Sequence, residues 1–448
     1  MRLLSCIIMA GVLTAPATGQ TQSMASSQGP AITLSELELL ALENNPTPRA
    51  AQAGIEAARG RARQAGAWPN PVIGYSGEEL KTGELDARGA HGLFVEQTIP
   101  LGGKLGLGRQ VFERSAERAE AVLDLQRQRV LSTVRTLFYE TLTAERRVEV
   151  RERLAALASE AVGITAQLFN VGAADRPDYL EIQIEARRAQ LELNGAKNRA
   201  FAAHQQLAAI TGRPDVATRP LSASIDQSIP ELERDAAVRA IVEQSPQIRA
   251  ARAELARTQA VTAQSRRTTF PDLFIRAGAA RNRERGEDTG RPIGWEGQLE
   301  AGLSIPLYNR NQGGIVAARA EETRAQSEVR RMELSLQSQG AAEFSMYLTA
   351  LRASESYREE ILPQAEEAYR LYLTRYREMA AAYPQVLVAQ RTLFEMSVDY
   401  LRNLEDAWRS ALRIQGYLAG EGLQAPDGVM DPGAEVGARV VGARGGRQ

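Results

Sequence analysis

The chain carries one cysteine, Cys6, and two histidines, His91 and His204, among 448 residues. One cysteine excludes a disulfide scaffold, and the two counts together exclude a histidine- or thiolate-rich metal site. Aromatic residues make up only 5%, too few for an aromatic-cored globule. Beyond the N-terminus, no stretch approaches the ~18 uninterrupted apolar residues of a membrane-spanning helix. An excess of one charge is also missing: 54 Lys and Arg against 55 Asp and Glu leave a net charge of −1. A nucleic-acid partner calls for a basic excess or stripe, and the chain has neither. What is abundant is Ala, Leu, Arg, Glu and Gln, the residues of long helices. With 44% hydrophobic and 24% charged residues, wholesale disorder is excluded.

Met1 and Arg2 precede an apolar run from Leu3 to Leu13, then the small-x-small patterns Ala15-Pro16-Ala17 and Ala17-Thr18-Gly19. This reads as a signal peptide over 1–19, cleaved after Ala17 or Gly19. A buried N-terminal helix is the competing reading, but the run is short and lacks polar periodicity. Cys6 lies inside the run, which argues against a lipidated N-terminal cysteine. An exported chain without an apolar helix can span a membrane only as a β-barrel.

The chain repeats itself. ENNPTPRAAQAGI at 43–55 aligns with EQSPQIRAARAEL at 243–255, and Ile99-Pro100-Leu101 with Ile305-Pro306-Leu307. Pro177 and Leu180 align with Pro384 and Leu387. Two halves follow, 31–213 and 228–420, with the same order of elements. Thr33-x-x-Glu36 and Ser228-x-x-Glu231 are capping-box patterns at the head of each half. Pro46 and Pro246 predict a kink in each opening helix.

Next comes a pair of strands in each half, predicted at 71–80 and 92–100 and at 271–280 and 296–306. Leu299, Ala301, Leu303 and Ile305 alternate with Gln298, Glu300, Gly302 and Ser304, apolar on one face and polar on the other. The strands have the length of membrane-spanning β-strands, and Trp295 suits an interfacial aromatic girdle. A soluble hairpin packed on one face is the alternative. Long helices are predicted at 104–169 and 313–378, and shorter ones at 177–212 and 384–419. Pro363 predicts a bend in the second long helix only. Gly212 and Gly420 stand where C-terminal caps belong, and the tail 421–448 reads as disordered. The fold class is therefore mainly α with a small β part: duplicated long antiparallel helical hairpins plus four membrane strands. Four strands cannot close a barrel, which needs about eight. Two copies would supply eight and three copies twelve.

The segments ITLSELELLALENNP (32–46), ARGRARQAGAWPNP (58–71), EQTIPLGGK (96–104), LFNVGAADRPDYLEIQIEARRAQLEL (168–193), LSIPLYNRNQGG (303–314) and ILPQAEEAYRLY (361–372) resemble the TolC-like outer-membrane factor family. The PNP and IPLGGK segments look most like its heavy-metal (cobalt–zinc–cadmium) efflux branch. The resemblance covers about 31–420. It implies a homotrimer in which a twelve-strand β-barrel in outer-membrane lipid continues into a periplasmic α-barrel. The implied partners are a periplasmic adaptor (membrane fusion) protein and an inner-membrane pump of the resistance-nodulation-division type. The resemblance places the adaptor-contacting tips at Phe169, Asn170, Val171 and Gly172 and at Tyr376, Pro384, Gln385 and Leu387. Asp175, Arg176 and Asp178 become candidates for a pore constriction; helix capping is the alternative role of the two aspartates. Gln385 and Val388 stand where some relatives carry aspartates, so a latch built on acids of the second tip is not expected.

No enzymatic chemistry emerges. Gly102-Gly103-Lys104 lacks the rest of a phosphate loop, because Thr98 and Leu105 occupy the required glycine and hydroxyl positions. Gly106-x-Gly108 has Val111 where a dinucleotide fingerprint needs glycine. No cofactor is implied. His91 is expected in an external loop and His204 in a helix. Three functions compete: an efflux duct for heavy-metal cations, a duct for drugs or protein, and a periplasmic coiled-coil scaffold without a channel.

Overall fold

Each half of the chain opens with a helix that a proline divides. In the computed structural model, which describes residues 30–80, 89–285, 290, 292–418, 420 and 422–425, α1 (Leu34–Asn44) starts at Thr33, whose hydroxyl accepts from the Glu36 amide at 3.3 Å. Pro46 ends α1 and begins α2 (Pro46–Ala65), taking a first-turn position where no amide hydrogen is needed. Asn45 makes the junction and is fully buried. Its Oδ1 accepts from the Thr47 amide (2.9 Å) and hydroxyl (2.7 Å), and its Nδ2 donates to the Ile210 carbonyl (3.1 Å). The second half repeats the device with α5 (Arg234–Gln244), Ser245 and α6 (Pro246–Arg267).

The start of α5 corrects the capping-box reading at Ser228. The helix begins six residues later, where the Glu233 carboxylate accepts from the Asp235 (2.9 Å) and Ala236 (2.7 Å) amides. The reason is tertiary. The connecting segment lies across the helices, with Val216 and Ile225 buried. Trp408 donates to the Ile225 carbonyl (3.2 Å) and the Tyr347 hydroxyl to that of Pro230 (2.7 Å).

The strands are β1 (Val72–Glu78), β2 (Ala90–Pro100), β3 (Asp272–Arg285) and β4 (Pro292–Ser304). They form one antiparallel sheet in chain order, so β1 and β4 are its open edges. Three strands extend further toward the loops than predicted. His91 consequently lies in β2, opposite Gly77 and Arg281, rather than in a loop, and its Nδ1 bonds the Tyr75 hydroxyl. One face of the sheet is apolar and exposed: Ile73, Tyr75, Leu93, Val95, Leu303, Trp295 (74%) and Leu299 (81%). The other carries Glu78, Phe94, Glu96, Arg276, Gln298 and Glu300. Gln298 of β4 donates to Glu78 of β1 at 2.8 Å. That bond links the two edge strands, so the polar face is concave.

The helical body is built around α3 (Lys104–Asn170), 67 residues and about 100 Å long. It packs against α2 and α4 (Arg176–Thr211), and against α6 and α9 (Tyr383–Gln415). The fourth column is α7 (Gln312–Ser356), a π turn at Tyr357–Ile361, and α8 (Leu362–Arg377). The bend expected near Pro363 takes the form of this π turn. The proline ring clashes with the carbonyl four residues back, Glu359, and a wider turn relieves the clash. At the end of α9, Gly416 is the C-cap and Tyr417 and Leu418 adopt the left-handed conformation, so Gly420 is not the cap. Gly212 does cap α4, at φ +65°.

The signal peptide expected at 1–19 lies outside the described residues, as do 81–88, 286–289 and the tail from 426. Gly422, expected within that tail, packs into the α1–α2 junction: its amide donates to Thr133 Oγ1 (2.9 Å) and its carbonyl accepts from Thr47 Oγ1 (3.1 Å). Among the described residues no helix is long and apolar enough to cross a membrane.

Candidate functional site

The helical hairpins α3–α4 and α8–α9 turn at the end of the body far from the sheet. Both turns close in the same way. In the first, Gly172 at φ +76° donates to the Phe169 carbonyl (3.0 Å) and Ala173 to that of Leu168 (2.8 Å). In the second, Met379 at φ +57° donates to Tyr376 (3.0 Å) and Ala380 to Arg375 (2.7 Å). These are paired Schellman bonds, with glycine at the left-handed position in one and a non-glycine residue in the other.

The tip residues read from the sequence divide into two groups. Asn170, Gly172, Pro384 and Gln385 are exposed, and Val171 is 71% exposed. Phe169 is partly exposed and stacks on Tyr179, with centroids 5.4 Å apart. Tyr376 and Leu387 are buried in the core between the hairpins, with Leu168, Ile182, Tyr369 and Tyr383. Their side chains therefore hold the tip together and are not presented on its surface.

Asp175 occupies the N-cap position of α4, but its side chain makes no capping bond. Arg176 is exposed, and Asp178 is half-buried in the first turn of α4. Asp178 faces the second hairpin closely enough to help hold the Tyr376 and Tyr383 hydroxyls protonated, although burial is the larger cause for both. The structure thus brings Asp178 toward the tyrosines and leaves Asp175 and Arg176 on the surface.

Tyr369, Tyr383 and Gln390 did not stand out in the sequence as tip residues. Tyr369, Tyr376, Tyr383 and Gln390 fall seven apart, so that across the hairpin Tyr376 meets Tyr383, with ring centroids 6.1 Å apart. Tyr376 donates to Thr165 Oγ1 at 3.4 Å. The Tyr369 and Tyr383 hydroxyls and both polar atoms of Gln390 are buried without a hydrogen-bond partner among the described residues. Burial pushes the Tyr369 hydroxyl up to about 12 and raises that of Tyr383 as well. Ion pairs join the hairpins on their exposed sides: Arg377 with Glu160, and Arg391 with Glu185 and, at 3.5 Å, Glu181. The seven-residue spacing of Tyr369 and Tyr376 is plain in the sequence. Its continuation across the turn required knowing where the turn was. His204, in α4 as expected, pairs with Glu145 of α3 at 2.9 Å.

Among the described residues no group of three or more His, Cys, Asp or Glu is close enough to hold a metal ion.

Comparison with known proteins places this architecture. The model of the outer membrane efflux protein family matches residues 39–213 and 237–420. The cobalt-zinc-cadmium resistance protein CzcC of Cupriavidus metallidurans is 28% identical over 391 residues, 86% of this chain and 90% of that protein. Among solved structures, the outer-membrane channel OprN superposes with a TM-score of 0.73 at 18% identity, covering 87% of this chain and 91% of its own. CusC, solved in a study of folding and transmembrane channel formation, superposes at 0.72 and 15% identity, covering 92% and 99%. The channel scaffold is thus shared well beyond sequence likeness. A scaffold without a channel is set aside, and so is an enzyme, since the family consists of channels. The chain belongs to the outer membrane efflux protein family.

Proposed function

We propose that this chain is the outer-membrane subunit of a tripartite efflux system, and that three copies form a passive exit duct for heavy-metal cations. The observation that carries the reading is the sheet. It has an exposed apolar face, a concave polar face and two open edges, and it stands at one end of helices about 100 Å long. An apolar outer face and a polar inner face are what a membrane barrel requires, and open edges demand further strands. Three copies in a ring supply twelve strands and twelve helical columns, with the halves 31–213 and 228–420 alternating as structural repeats.

In this reading the sheet lies in the outer membrane and the helical body reaches into the periplasm. The exposed tip residues Phe169, Asn170, Val171, Gly172, Pro384 and Gln385 contact a periplasmic adaptor protein. Tyr376 and Leu387 support that surface from beneath. Asp175, Arg176 and Asp178 line the constriction, where three-fold repetition of the aspartates favours cations. Transport energy comes from an inner-membrane pump of the resistance-nodulation-division type.

The metal preference is supported by the likeness to a cobalt-zinc-cadmium resistance protein. The test is deletion in the native host, with tolerance measured to cobalt, zinc and cadmium and to a panel of drugs. Loss of metal tolerance with drug tolerance intact supports the reading. Loss of drug tolerance alone replaces it with a drug duct.

A further inference from the structure

The concave face of the sheet holds an arrangement that the family likeness does not assign. Strand register sets Glu96 of β2, Arg276 of β3 and Glu300 of β4 side by side in one row. Arg276 is the cation of this row. A guanidinium between two carboxylates on neighbouring strands would ordinarily pair with them. It does not: among the described residues Arg276 forms no ion pair with either. Its guanidinium carbon lies 3.7 Å from the centroid of the Phe94 ring, one row along the sheet.

Phe94 is seated for this purpose. Its neighbours across the sheet are Gly74 on β1 and Gly278 on β3. A Cβ on Gly74 would meet the Phe94 ring at 2.5 Å, and one on Gly278 would meet Phe94 Cβ at 3.2 Å. The two glycines leave a trough in which the ring lies along the sheet, with its face free to carry a cation.

We infer that Phe94 acts as a positioning residue for ion selectivity. By holding Arg276 against its ring, it keeps the carboxylates of Glu96 and Glu300 uncompensated, and it thereby favours cations in the barrel lumen. The inference rests on the channel reading. In three copies the row becomes a collar of six carboxylates, with three guanidiniums drawn aside onto aromatic rings. The selectivity of the duct is then set partly within the barrel and not only at the tip.

The experiment is the reversal potential of the purified particle in a planar bilayer under a potassium chloride gradient. Wild type is expected to prefer potassium. Glu96→Gln with Glu300→Gln shifts the potential toward chloride, because the three guanidiniums remain. Phe94→Leu shifts it the same way by less, since Arg276 becomes free to pair with the glutamates. Gly74→Ala, which displaces the ring, follows Phe94→Leu. Phe94→Tyr keeps the ring face and keeps wild-type selectivity. Arg276→Gln raises cation preference and abolishes the effect of Phe94→Leu.

A Phe94→Leu shift that persists in the Arg276→Gln background assigns the effect to pore shape and overturns the inference. So does a Phe94→Leu channel that conducts with wild-type selectivity. A wild-type particle that conducts nothing overturns the channel reading and this inference with it. The two failures are therefore distinguishable.

Discussion

The two tip hairpins share one plan and differ in three places. The first is fed by an unbroken α3, turns on glycine, and contributes aliphatic side chains, Ala161, Ile164, Leu168 and Ile182, to the core. The second is fed by a column interrupted at Tyr357–Ile361, turns on Met379, and contributes Tyr369, Tyr376, Tyr383 and Gln390 beside aliphatic residues such as Leu373, Val386 and Leu387. At its tip the first hairpin is regular: an unbroken helix, a glycine turn and an aliphatic contribution to the core. The other combines a π turn, a non-glycine left-handed residue and buried polar atoms without partners, each of which costs free energy. Duplication supplied the same architecture twice, and only one copy stayed regular.

The largest effect is expected on the aliphatic side. Ile182 is 1% exposed, and Ile182→Ala should cost about 3 kcal/mol of stability through the cavity it leaves. This is measurable by denaturant unfolding of the detergent-solubilised protein. At Gln390, 2% exposed with both polar atoms unpaired, the sign reverses. Gln390→Leu should stabilise by about 1 kcal/mol, since it removes a desolvation penalty and breaks no hydrogen bond. A loss of similar size would show that water or a partner satisfies this amide.

The turns allow a reciprocal swap. Met379→Gly should stabilise, and Gly172→Met destabilise, each by about 1 kcal/mol, because only glycine adopts the left-handed region without strain. Equal and small effects from both would remove the turn from the comparison. The smallest effect is alkaline. Burial holds the Tyr369 hydroxyl up to about 12 against an ordinary 10. Its folded-state affinity for the proton is raised, so its contribution is complete below pH 10 and is lost as pH rises from 10 through 12. Tyr369→Phe should flatten the fall in thermal midpoint over that interval.

Much of this was legible in the residues because the patterns are periodic. Alternation at 299–305 set both faces of β4, and Pro46 with Pro246 fixed the same kink twice. The strand ends were less legible. Alternation fades where the sheet nears its loops, so His91 read as loop although its ladder partners continue the strand. Ser228 failed as a cap for a different reason. A four-residue pattern recurs by chance, and the long-range bonds of Trp408 and Tyr347 hold that segment across the helices instead. At the tip, the position of the turns was readable from Gly172 and from the spacing of Pro177 and Pro384. Which tip residues face outward was not. Burial of Tyr376 and Leu387 depends on how the two hairpins pack together, and that information is spread over four helices.

Closure of one outer-membrane barrel by three copies of this chain is open to direct test. The direct measurement is the mass of the particle extracted by detergent from fractionated envelopes, determined by light scattering with the detergent contribution subtracted. An outer-membrane particle of three chains, released by detergent and not by salt, is expected. A monomer or dimer released by salt alone would contradict it.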